Sequence, residues 1–80
     1  MALLAGSNVL DTDFTPVVGA FIVEVSGEYA VKLLRKNTSG AGYSSVGYIP
    51  SETAMNVDNP VAGAVYRFQS IGPAITRADQ

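Results

Sequence analysis

The stretch "EYAVKLLRKNTSGAGYSSVGYIP", residues 28–50, decides the fold. In an extended chain, successive side chains point to opposite faces. That places Tyr29, Val31, Leu33 and Arg35 on one face, and Ala30, Lys32, Leu34 and Lys36 on the other. The first face is the better core face, with Arg35 at its rim. Residues 37–42, Asn-Thr-Ser-Gly-Ala-Gly, carry turn chemistry, and their glycines supply positive φ at little steric cost. "YSSVGYI" then reads as a strand with Ser44, Val46 and Tyr48 together, and Pro50 ends it or places it at an edge.

Working outward, the same two-residue period continues on both sides. "VVGAFIVEVSG" puts Phe21, Val23 and Val25 on one face, opposite Glu24 and Ser26, and "SGE" at 26–28 is a tight turn. Asn56, Asp58, Asn59 and Pro60 would stop a helix within two turns, so a short strand around Ala54–Val57 is expected there. "AVYRFQSI" alternates Tyr66, Phe68 and Ser70 with Val65, Arg67 and Gln69, and a Gly-Pro turn leads into a last strand, Ala74–Arg77. About six short strands with turn signals every 8–12 residues predict an all-β fold, a small antiparallel β-sandwich or barrel. Val23, Val31, Leu33, Val46, Tyr66 and Phe68 are the expected core. Arg35 and Arg67 sit among apolar neighbours, each expected to pair with a carboxylate or with carbonyls, and Glu24 and Glu28 are the available local acids.

Residues 1–16 show no stable period. They read as an N-terminal arm ahead of a single β domain at 17–80. Its large apolar residues, Leu3, Leu4, Val9, Leu10 and Phe14, are candidate anchors on a neighbouring subunit; the equal alternative is that one of them caps the chain's own core. On this reading, deleting residues 2–14 leaves a soluble β domain that no longer assembles. The opening "MALLAGSNVL" lacks a positive flank, its apolar run is too short for a signal segment, and no stretch is long enough to span a bilayer.

Eighty residues bury only one modest core, and chains of this size are usually stapled by disulfides, a metal or oligomerisation. There is no Cys and no His, which excludes a disulfide and removes the usual ligands of zinc, copper and iron. Oligomerisation is the remaining support. A net charge of −2 argues against nucleic acid as the main ligand, and no membrane partner is expected.

A catalytic triad has no His to serve as its base. Ser39, Ser44 and Ser45 near Lys36 lie in a glycine-rich turn, and Asp11 with Asp13 supplies too few oxygens for a calcium loop. Gly40-Ala41-Gly42 lacks the helix and Lys-Ser/Thr of a phosphate loop. The sequence therefore predicts no enzyme, no cofactor and no metal. Tyr43, at the end of the glycine loop, is the best exposed contact candidate.

Two runs carry a resemblance. "SGEYAVKLLRKNTSGAGYSSVG" and then "NPVAGAVYRFQSIG" resemble the small β-sandwich virion proteins of tailed bacteriophages. There, a G-x-x-V-x-L-x-R strand precedes a glycine-rich turn, an aromatic and V-G, and a later N…G-x-x-Y-R-F strand follows. The matching positions run from Gly27 through Val31, Leu33 and Arg35 to Tyr43, and from Asn59 to Tyr66, Arg67 and Phe68. The resemblance covers roughly residues 19–78; the arm lies outside it, and Tyr43 stands where such modules often carry Trp. It implies a non-catalytic structural protein located in the virion, foremost a capsid decoration or cement protein that stabilises the head. Its expected partners are copies of itself, a trimer being favoured, and other virion proteins such as the major capsid protein. A neck, tail or fibre subunit is the alternative within that class, and a small carbohydrate- or host-surface-binding module is the alternative outside it.

Overall fold

The computed structural model describes residues 3, 4, 6, 8–37 and 42–80. Seven strands form two antiparallel sheets: β1 (Asp13–Phe14), β2 (Gly19–Gly27), β3 (Val31–Lys36), β4 (Ser44–Ile49), β5 (Thr53–Asn59), β6 (Val65–Ser70) and β7 (Ala74–Asp79). One sheet has the order β1-β6-β3-β4 and the other β5-β2-β7. Alternation sets which side chains face the gap between them. Phe21, Val23 and Val25 of β2 meet Val31 and Leu33 of β3 and Tyr66 and Phe68 of β6 in one buried cluster. The all-β sandwich expected from the periodicity is what the chain forms.

β4, β5 and β7 are edge strands, and β6 is flanked on its outer side only by the two-residue β1. The turn at 50–52 joins β4 to β5 and stacks those edges on one side; the turn at 71–73 joins β6 to β7 on the other. The N-terminal segment closes the β6/β7 seam. Leu3 bridges Asp79, and the amides of Leu4 and Val9 donate to the carbonyls of Ala78 and Thr76, so the chain runs up β7. It then crosses to β6, where Leu10 bridges Phe68 and Asp11 N–H donates to the Phe68 carbonyl. Asp11 turns the chain with φ 56, and its carboxylate accepts from both the amide and the hydroxyl of Ser70, at 3.0 and 2.8 Å. An Asp tolerates that left-handed conformation better than most residues. Descending again, Asp13 and Phe14 pair with Arg67 and Tyr66.

The described residues of the segment 1–16, read from the sequence as an arm ahead of the β domain, pack against that domain. Val9 and Phe14 belong to the chain's own core, and Leu4 and Leu10 pack against it. This strap shows no two-residue period because its hydrogen bonds go first to β7 and then, after a crossing, to β6. It nonetheless caps two open ladders, and a sheet edge left bare is a liability.

The link from strap to β2 is fixed by a buried amide. Asn59, fully buried, donates through Nδ2 to the carbonyls of Pro16 and Val17 at 3.2 and 3.1 Å. Its Oδ1 accepts from the Tyr66 hydroxyl at 3.2 Å and from Val61 N–H at 3.4 Å. A buried polar side chain is tolerated because its hydrogen-bonding capacity is used.

Five of the six expected core residues, Val23, Val31, Leu33, Tyr66 and Phe68, are buried, but Val46 is 46% exposed. A β-bulge is responsible. Leu33 pairs with Gly47 and Leu34 with Ser45, so Val46 has no partner on β3. Gly47, at φ 150, takes up the distortion, and Ile49 supplies the inward residue instead.

Candidate interaction surfaces

On the outer face of the four-stranded sheet, cross-strand register lines up Asp13, Arg67 and Leu34. Tyr43 enters the same row from just before β4. Its hydroxyl donates to Asp13 Oδ1, and its ring lies under Lys36 Nζ (4.5 Å to the centroid) and beside the Arg67 guanidinium (5.8 Å). Arg67 Nε approaches Asp13 Oδ1 to 2.8 Å, although its N–H is not aimed at that oxygen. The contact is therefore an ion pair without a well-formed hydrogen bond at Nε. The Tyr43 hydrogen bond, helped by the charges of Arg67 and Lys36 and partly opposed by desolvation, holds the Asp13 carboxyl below its ordinary pKa. Arg67 thus pairs with an acid of the strap, not with Glu24 or Glu28. Across strands, Glu24 lies opposite Arg77.

Hollows mark the surface among the described residues. A polar one of about 180 Å³ is lined by Arg35, Lys36, Asn37, Gly42 and Ser44. An apolar one of about 320 Å³ lies at the end of the sandwich between Leu10, Gly27, Pro73 and Ile75. The third, about 90 Å³, opens in the β4/β5 seam between Leu33, Val46, Tyr48, Ile49 and Met55. No strap covers this seam among the described residues. Val46, Tyr48 and Met55 are 46, 63 and 43% exposed there.

The sequence-derived contact residues are thus dispersed. Leu3 is exposed; Leu4 and Leu10 are half-buried; Val9 and Phe14 are interior and unavailable to a neighbour while the strap is seated. Tyr43 is half-buried and tethered by Asp13 and the two cations, not held out as a free stacking platform. The glycine loop in which it was placed falls at 38–41 outside the described residues, apart from Asn37 and Gly42. Sequence reading missed Tyr48 and Met55. Parity with the inward Ile49, one residue before Pro50, is the signal that turns Tyr48 outward.

Among the described residues, no group of three or more acidic, His or Cys side chains could hold a metal ion. No family model, curated protein or solved structure matches the chain.

Proposed function

We propose that this protein is a non-catalytic structural subunit of a bacteriophage particle, foremost a capsid decoration or cement protein that acts in many copies at the head surface. The observation that carries this reading is the asymmetry of the two seams. One is closed by the chain's own N-terminal strap, whereas the other leaves Val46, Tyr48 and Met55 exposed beside two sheet edges. An eighty-residue sandwich gains the most from a neighbour at such a place, because exposed apolar side chains next to open ladders favour association. The resemblance of residues 19–78 to small virion sandwiches supports the particle setting. A neck, tail or fibre subunit uses the same physics.

The test is a mass-spectrometric inventory of purified virions, with copy number. The expected result is this chain present in many copies per particle, in proportion to the major capsid protein if it decorates the head. Its absence from purified particles, with the protein recovered only in the unassembled fraction, overturns the proposal.

A further inference from the structure

The two outer faces of the sandwich carry opposite charge. Inward residues on each strand are fixed by the core, so the alternate residues face out. On the four-stranded sheet these include Lys32, Lys36 and Arg67, with Asp13 as the one carboxylate among the described strand residues of that face. On the three-stranded sheet they include Glu24, Asp58 and Asp79, with Arg77 as the one cation. Within each face the minority charge is already spent. Asp13 lies against Arg67 at 2.8 Å, and Arg77 against Asp79 at 3.3 Å. What remains is Lys32 and Lys36 on one side, and Glu24 and Asp58 on the other. The protein as a whole carries −2, so the cationic face stands out against the sign of the molecule.

From this complementarity we infer that copies of this chain dock face to back, the Lys32/Lys36 face of one against the Glu24/Asp58 face of the next. A face-to-face twofold contact would bring like charges together on either sheet, which opposes association. A heterologous contact joins opposite charges and can be repeated by each added copy, giving a ring if the rotation closes and an open stack if it does not. The cationic face also has the aromatic character of a contact surface, because Tyr48 lies opposite Lys32 and Tyr43 beneath Lys36. The inference rests on the reading of the chain as an assembling subunit only for its biological setting. The docking itself is a property of the purified protein.

The test uses full-length protein in sedimentation velocity, from micromolar to millimolar concentration. The expected result is self-association that weakens about tenfold or more when salt rises from about 0.02 M to about 0.5 M. K32E/K36E should abolish it, as should E24K/D58K, each with the far-UV spectrum and cooperative melting of a folded chain. Mixing the two variants should restore association, because the mixture again offers a cationic face to an anionic one. A wild-type protein that stays monomeric throughout overturns the inference. So does association that neither salt nor either double variant alters, or a mixture that fails to associate when both variants are folded. None of these results bears on whether the chain occurs in virions, so this inference and the proposed function fail separately.

Discussion

Phe14→Ala tests whether the N-terminal strap is part of the folded core. Phe14 is 4% exposed and lies at the meeting point of three other rings. It stacks on Phe68 at 5.4 Å and Tyr66 at 6.0 Å, and meets Phe21 edge-on at 5.9 Å. Truncating a buried Phe to Ala costs about 3–5 kcal/mol in lost transfer energy and residual cavity. An eighty-residue domain holds about 4–12 kcal/mol in total. The substitution therefore removes about a quarter of the stability or more, and can remove all of it. At about 4–8 °C per kcal/mol, the melting temperature should fall by at least about 12 °C. Deleting residues 2–14 removes Val9 as well and bares the edges of β6 and β7, so the truncated chain should not fold. This is the opposite of the soluble truncated domain that the sequence pattern suggests. Urea denaturation followed by far-UV circular dichroism, with tyrosine signals in the near-UV as a second probe, measures both variants. A Phe14→Ala protein within about 1 kcal/mol of wild type would refute the placement of the strap in the core.

The remaining predictions concern two polar contacts. Asn59→Ala leaves the Tyr66 hydroxyl and the Pro16 carbonyl buried without their partner and should cost about 1–3 kcal/mol in urea denaturation. Tyr66→Phe should cost less, because Asn59 Oδ1 still accepts from Val61 N–H. The lowered pKa of Asp13 means that its ionised form favours the folded state. The associated stability is fully present above the ordinary carboxylate pKa of 3.8 and is lost as pH falls through the lower folded-state value. Asp13→Asn should therefore flatten the acid limb of the stability–pH curve. An identical acid limb in the variant would show that the Tyr43–Asp13 contact does not form in solution.

The strands were legible where one face is buried and the other wet. In β2, Phe21, Val23 and Val25 alternate with polar or half-buried neighbours, and in β6 Tyr66 and Phe68 do the same, so the period of two could be read directly. It failed at Val46 because a bulge adds one residue to β4 without any compositional mark. The glycine that permits the bulge, Gly47, reads equally well as an ordinary turn or strand residue. It failed again at the strap for a different reason. Periodicity reports a segment that keeps one partner, whereas the strap pairs first with β7 and then with β6, reversing direction at Asp11.

The same logic explains why the interaction surface was harder to read than the core. A core residue is chosen by what a strand does along its own length, but a surface exists only once strands are set side by side. Arg67 is far in sequence from Lys32 and Lys36 and joins them in one cationic face because β3 and β6 are neighbours. Glu24 and Asp58 likewise share the opposite face only because β2 pairs with β5. Tyr43, expected as an exposed contact residue, is half-buried, and its partners Asp13 and Arg67 come from strands joined to it by the sheet, not by the chain. That sheet order depends in turn on the strap, since Asp13 reaches Arg67 only after β1 has paired with β6. Loss of the strap therefore has an electrostatic consequence beyond the loss of Phe14. It removes the one carboxylate that neutralises the cationic face and frees Arg67 and Tyr43 together. Two adjacent residues of the strap, Asp13 and Phe14, thus couple the charge of this outer face to the packing of the core.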